Sequence, residues 1–408
     1  MKKIAMITSG FLPVPATKGG AVENLIVNLL NENEKNKKIK FEIFSIYDQD
    51  ALNKSKKYEN SNFRFIKVNP FIKIIDKMVF FLAKSIFKKQ NSQSYRYIFQ
   101  RLYYLNKCSK LLKKYNYDIV ILENHPTQYL ALKWRKNYLK YSGNYYYHCH
   151  NEFPSTYGCE KIIKNTKRII CVSEFIARNI SKDNEIPRDK FVVLRNCIDA
   201  KRFSGKISNE EKESIKKKYG IAPDDKILIF TGRITPEKGV KELIESLKYV
   251  KYKNYKLLIL GSALNELKTK TEYQEQLEDE VKKISDKVIF TGFIKYDEIN
   301  TFYALADIAV LPSIWNDPAP LTIIESLMSG LPIITTNSGG IPEYATDGSA
   351  IILQINEKIV QNLSENIDYL LNNTKELKRM REKAIEVSKN LTLENYYFNF
   401  INIIKDEK

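Results

Sequence analysis

Chemistry-bearing residues are scarce in this chain. Its 408 residues include three histidines and five cysteines, and no two cysteines form a C-x-x-C pair. An odd set of thiols (Cys108, Cys149, Cys159, Cys171 and Cys197) without paired spacing reads as reduced, buried cysteine, which excludes a disulfide scaffold and a zinc ribbon. Long apolar runs are missing too. The densest run near the middle, Met78 to Ala83, falls far short of the roughly 18 residues that span a bilayer. Met1-Lys2-Lys3 imitates the start of a secretory signal, but Thr8, Ser9 and Gly10 break the apolar stretch that follows, so a first β-strand is expected there. No self-similar period of solenoid length occurs. With 43% hydrophobic and 28% charged residues, the composition is globular rather than disordered or collagenous. A soluble, cytoplasmic protein of two domains is expected.

Positive charge is unevenly spread. The chain carries +18 overall, yet residues 1–200 carry +19 and residues 201–408 carry −1. Residues 301–350 contain no Lys or Arg at all. So lopsided a distribution points to one domain that meets an anionic partner: nucleic acid, an acidic membrane surface or a phosphorylated substrate.

Short β-type runs alternate with helical patterns, the signature of parallel α/β architecture. Strands are expected at Lys3–Ser9, Phe41–Tyr47, Phe63–Val68, Asp118–Glu123, Asn144–His150, Arg168–Ser173 and Phe191–Asn196. A second series runs through Lys226–Gly232, Lys256–Gly261, Val288–Gly292, Asp307–Pro312, Leu331–Thr336 and Ala350–Leu353. Between them Asp199 to Asp225 reads as a linker with a short lysine-rich helix. The expected domains are residues 1–200 and 201–390, with a helix at about 391–408 packing back onto the first. Ligands of such sheets bind beyond the carboxyl ends of the strands.

Three features of the second half lie at strand ends. Arg233 follows Phe230-Thr231-Gly232, and Lys238 opens the next helix. A guanidinium fork and a movable ammonium together suit a diphosphate, although a solvated loop carries the same residues. Asp317 and Glu325 stand eight positions apart around a helix start near Leu321. Backbone N–H groups there would face an anion. Asp317 could equally be a turn former and Glu325 an exposed helix residue. With no cation nearby in sequence, these acids need partners from elsewhere, and sugar or ribose hydroxyls would serve. Gly339-Gly340 permits close backbone approach to a ligand, or a plain turn.

Together these resemble the donor-nucleotide domain of glycosyltransferase family 4, retaining enzymes of the GT-B fold. The matching text is G-R-x-x-x-x-K-G at Gly232–Gly239, L-P-S-x-W at Leu311–Trp315, acid–seven residues–acid at 317–325, S-L-M-S-G-L-P-I-I at Ser326–Ile334 and G-G-I-P-E at Gly339–Glu343. The resemblance implies two Rossmann-like, doubly wound parallel-sheet domains facing across a cleft. It implies that Arg233 and Lys238 hold the donor's diphosphate, that Glu325 accepts ribose hydroxyls and that Asp317 touches the transferred sugar. Leu321 and Thr322 would offer backbone amides to the phosphate, beside Gly232. Two departures stand out: Asp317 replaces the usual Glu, and Pro320 occupies a position that is often Gly.

In the first half, Gly19-Gly20 before a helix resembles the family's first loop, over donor phosphate (Gly20) and acceptor (Gly19). All three histidines, His125, His148 and His150, fall at expected strand ends. His148 and His150, two apart, point to the same side of a strand, yet no acidic or third ligand with metal-site spacing accompanies them. His150-Asn151 resembles the family's histidine that faces the donor sugar, and His125 resembles an acceptor-side position. Asp48-Gln49-Asp50 spells D-x-D in an expected polar loop, and metal-independent chemistry is anticipated. Residues Phe71–Lys89 are expected as one helix. Lys73, Lys77, Lys84 and Lys88 form its charged stripe with Phe80 and Phe87 alongside, and Ile72, Ile75, Met78, Val79, Leu82 and Ile86 form a core face. Aromatics among cations suit an anionic bilayer as well as a solvated helix face.

The resemblance therefore implies a retaining transferase. It would move a hexose or N-acetylhexosamine from a nucleotide-diphosphate sugar, UDP favoured, to a glycan or lipid-diphosphate-linked acceptor. Envelope polysaccharide assembly (capsule, lipopolysaccharide) at the inner membrane face is the expected setting. A sugar-nucleotide epimerase on the same scaffold would demand further acid/base carboxylates. A nucleic-acid-binding protein would demand a recognisable module, and none is apparent, so no nucleic-acid partner is expected.

Overall fold

The computed structural model describes residues 1–82, 97–153, 155–203, 207–262, 271–284 and 286–405. Runs of Ile, Val, Leu, Phe and Tyr form two sheets whose pairings are all parallel. The first contains β1 (Lys2–Ile7), β2 (Ile39–Ile46), β3 (Ser61–Ile66), β4 (Ile119–Glu123), β5 (Tyr145–Cys149), β6 (Arg168–Cys171) and β7 (Phe191–Val193), in the order β3-β2-β1-β4-β5-β6-β7. The second contains β8 (Lys226–Thr231), β9 (Tyr255–Leu260), β10 (Val288–Gly292), β11 (Ile308–Leu311), β12 (Ile333–Thr336) and β13 (Ala350–Leu353), in the order β10-β9-β8-β11-β12-β13. Central strands such as β4 and β5 are buried along their whole length, as helices on both faces of a parallel sheet require. Each sheet reverses its strand order once, between β1 and β4 and between β8 and β11, which creates the crevice where such sheets bind ligands.

Met1–Leu194 forms one compact unit together with the chain from Tyr396 onward, and Arg195–Asn395 forms the other. The helix Leu393–Lys405 joins the first unit through the Tyr397 hydroxyl, which donates to Asn33 Oδ1 at 2.9 Å, and through Phe400 against Phe41. Within the charged stretch from Asp199 to Asp225, Ser208 and Glu211 form a capping box that opens the helix Asn209–Lys218. All five cysteines are buried and unbridged.

Two expectations need correction. The helix expected at Phe71–Lys89 spans Pro70–Phe81, and Lys84, Ile86, Phe87 and Lys88 lie outside the described residues. Its orientation is also different. The buried residue is Asp76, whose carboxylate accepts from the backbone N–H groups of Phe99 and Gln100, both at 2.9 Å, at the start of the helix Ile98–Lys114. That tie turns Phe71, Ile74, Met78 and Phe81 outward, each more than half exposed. Met78 and Leu82, expected in the core, are therefore on the surface. The D-x-D segment is not a loop: Asp48 N-caps the helix Gln49–Ser55 by accepting from Ala51 N, and also holds Thr17 and Lys18.

Candidate active site at the strand ends

In the second unit the three sequence features meet beyond β8, β11 and β12. Gly239 adopts φ 70°, and a Cβ there would overlap the carbonyl oxygen of Pro312, so the loop after β8 packs on the loop after β11 only as glycine. Ser313 Oγ and Ile314 N both donate to Glu237 O, at 3.2 and 3.0 Å. Gly340 N donates to Asp317 O at 2.8 Å, and Ser338 Oγ donates to Trp315 O. Lys238 and Asp317 thus come together as a direct ion pair with side chains 23% and 12% exposed. The partner of Asp317 does come from elsewhere in the chain, but it is a cation and not a hydroxyl. Arg233 is exposed at the end of β8.

Leu321 and Thr322 open the helix Leu321–Met328, whose N-cap is Pro320 and which has no side-chain cap. Glu325 lies one turn in. It is 4% exposed rather than on the helix surface. Tyr303 donates its hydroxyl to Glu325 Oε2 at 2.8 Å and accepts from Thr231 Oγ1 at 2.6 Å, while Tyr296 donates to the same carboxylate. Burial raises the Glu325 carboxyl to about 7, more than the tyrosine hydrogen bonds and the Arg202 charge lower it.

In the first unit, Gly19 and Gly20 have φ 74° and 100° and lead into the helix Ala21–Asn36. A Cβ on Gly20 would collide with the Glu23 carboxylate, which takes a 2.8 Å hydrogen bond from Ser9 Oγ. Burial raises the Glu23 pKa, and the charge of Glu123 adds to the rise. His125 caps the short helix Pro126–Gln128 by accepting from Thr127 N, with Arg101 Nη1 3.1 Å from its Nε2. Burial, then the Arg101 charge, lowers His125 to about 4.

Glu123 changes the reading of the other two histidines. The register pairs it directly with His148 on β5. His148 Nδ1 is 3.2 Å from Glu123 Oε1, and His150 Nε2 is 3.6 Å from Oε2, with all three side chains buried. An acidic neighbour does accompany the pair, then, contrary to the sequence expectation, because strand pairing supplies it and linear spacing cannot show it. Donor atoms of Glu123, His148 and His150 all lie within 4.8 Å of one another, the one group among the described residues compact enough to hold a metal ion. Burial opposes the charge on Glu123, but the nearby imidazoles outweigh it and hold its carboxyl well below the usual range. Burial, followed by the neighbouring His148, lowers His150 to about 4.

Residues 211–387 match Glycosyl transferases group 1, and residues 83–202 match Glycosyltransferase Family 4. The chain belongs to glycosyltransferase family 4. Among curated relatives of this family-4 chain, an uncharacterized glycosyltransferase of Methanocaldococcus jannaschii is 30% identical over 47% of the chain and 46% of its own length. The lipopolysaccharide 1,2-N-acetylglucosaminetransferase of Salmonella typhimurium is 26% identical over 49% of the chain and 51% of its own. The chain thus spans about half the length of these relatives. Among solved structures, Anabaena Alr3699/HepE in complex with UDP superposes with a TM-score of 0.73 at 15% identity, over 100% of both chains, which shows the GT-B fold of the family.

For this family-4 chain, sequence reasoning missed Glu23, Glu123, Tyr296 and Tyr303. Glu123 had a signal, being the lone acid at the end of the apolar run Ile119–Leu122. Glu23 and Glu123 are also carboxylates of the kind an epimerase would demand, but Ser9 binds the first, and His148 with His150 flanks the second.

Proposed function

We propose that this protein transfers a sugar, with retention of anomeric configuration, from a nucleotide-diphosphate donor to a glycan or lipid-linked glycan. UDP-sugar is the favoured donor, and the transfer needs no metal. The observation that carries this reading is the convergence of Lys238, Asp317 and the Gly339–Gly340 turn beyond β8, β11 and β12. Arg233 and Lys238 supply cations for the pyrophosphate and for charge developing on the leaving group. The uncapped start of the helix at Leu321 and Thr322 adds backbone amides and the positive end of its dipole. Glu325 accepts ribose hydroxyls and Asp317 a sugar hydroxyl. On the first unit, His150 faces the donor sugar, Gly20 adjoins the phosphate, and Gly19 and His125 serve the acceptor. UDP in the HepE complex supports the donor class, and the Salmonella relative supports envelope-glycan assembly.

The basic first unit and the outward stripe of Phe71, Ile74, Met78 and Phe81 beside Lys73 and Lys77 support peripheral attachment to an anionic inner membrane face. No described helix is long and apolar enough to cross a membrane. Ligand-linked stabilisation tests the reading. UDP, GDP or dTDP should raise the melting temperature, and DNA or RNA should leave it unchanged. Stabilisation by nucleic acid alone would discard the transferase.

A further inference from the structure

Two buried polar atoms of the first unit face each other without a hydrogen bond. They are Glu123 Oε2 and His150 Nε2, 3.6 Å apart. A lone pair on that nitrogen would confront the carboxylate oxygen across the gap, away from water, and repel it. A proton there makes the same contact attractive. His148 Nδ1 lies 3.2 Å from each of the two carboxylate oxygens, with its hydrogen bond to Oε1, so Glu123 already serves as an acceptor for an imidazole. The two rings stand 4.3 Å apart, as expected for side chains two residues apart on one side of the chain. Glu23, the second carboxylate near Glu123, is bound to Ser9. His150 is neutral at physiological pH, held at about 4 by burial and then by His148.

We propose that Glu123 is a positioning residue that fixes His150 as its Nε2–H tautomer, so that His150 meets its ligand through the Nδ1 lone pair. A lone pair accepts from hydroxyl groups and rejects phosphate oxygens, which are themselves acceptors. His150 is therefore a reader of sugar hydroxyls, not a contributor to diphosphate binding. This rests on the reading of His150 as the residue facing the donor sugar. A metal ion on Glu123, His148 and His150 would need the nitrogens facing Glu123 as lone pairs, where the proposed arrangement has N–H. The two are mutually exclusive.

The chain's three histidines make the test direct. Full-length protein labelled with nitrogen-15 in histidine gives three ring patterns in long-range proton–nitrogen spectra. Each is assigned by its loss in His125→Asn, His148→Gln or His150→Asn. The neutral Nε2–H pattern is expected for His150 in the unaltered protein at pH 7.5. In Glu123→Gln, whose amide can donate to Nε2, it should give way to the other tautomer. An Nδ1–H or doubly protonated His150 in the unaltered protein overturns the proposal. So does stoichiometric metal in the purified chain, or an unchanged tautomer in folded Glu123→Gln. Should Glu123→Gln fail to fold, the spectrum of the unaltered chain still decides.

Turnover is read separately. Glu123→Gln should lower kcat for a nucleotide sugar about tenfold or more, the scale of losing a residue that orients a histidine. The affinity for free UDP should stay unchanged, and a selective loss of UDP affinity counts against a hydroxyl-reading role. Full turnover in His150→Asn would remove the donor-sugar reading, while the spectra would still decide the tautomer.

Discussion

Asp317→Asn should make the second unit bind nucleotide more tightly and transfer sugar more slowly. In the free protein Lys238 is committed to Asp317, and both side chains are largely shielded from water. For the ammonium to meet a diphosphate, that pair must open or be shared. A fully exposed pair is worth about 0–1 kcal/mol, and breaking a fully buried one costs about 3–5 kcal/mol. At 23% and 12% exposure the pair falls between these limits, so we take about 1–2 kcal/mol as the cost of releasing Lys238. Asparagine keeps the size of the side chain and its contact with the Gly339–Gly340 turn, which uses the backbone oxygen of residue 317. Removing the charge alone should therefore tighten UDP binding about tenfold, the equivalent of about 1.4 kcal/mol. Isothermal titration of both proteins with UDP, GDP and dTDP measures it. Transfer should fall at least about 100-fold, because the sugar hydroxyl loses its charged acceptor and meets a neutral amide instead. Weaker or unchanged nucleotide binding in a normally folded Asp317→Asn would refute the view that Asp317 and the diphosphate compete for Lys238.

Two further outcomes follow from the buried carboxylate and the exposed helix face. The native state binds a proton at Glu325 more tightly than the unfolded chain does. This group therefore makes the fold progressively less stable as pH rises from about 4.5 to about 7, with no further loss above that. Glu325→Gln should then be more stable than the unaltered protein to urea unfolding at pH 8, by up to about 3 kcal/mol, and show little difference at pH 5, whereas an equal difference at both pH values contradicts the assignment. Replacing Phe71, Ile74 and Met78 together by serine should abolish sedimentation with phosphatidylglycerol vesicles without altering UDP binding, and undiminished sedimentation would exclude that face as the membrane contact.

How far the sequence could be read depends on the range of the interactions involved. Strands β10 and β13 have their expected bounds, because each is a short hydrophobic run between turn residues. Strand β7 ends at Val193 rather than Asn196, since Asn196 bonds instead within the second unit, to Tyr344 and Ala319. Lys238, Asp317 and the Gly339–Gly340 turn were legible because each motif is contiguous and sits at its own strand end. Their pairing was not, because Lys238 and Asp317 are 79 positions apart. Glu123 escaped notice as a partner of His148 because only strand register joins β4 to β5. The outward turn of the helix Pro70–Phe81 was hidden for the same kind of reason. Its periodicity permits two faces to be buried, and a carboxylate capping a helix 23 residues further along selects between them.

The return of the chain to its first unit bears on how the protein is made. Tyr397 and Asn33 are neighbours in space but 364 positions apart, with the whole of Arg195–Asn395 between them. A ribosome releases that intervening unit as one continuous stretch, free to fold on its own, while the earlier-born sheet waits for a covering helix. Until that helix arrives, Phe41 lacks the ring that covers it. The oldest part of the polypeptide is thus the last to be finished, and during synthesis it is the part most exposed to chaperones and proteases.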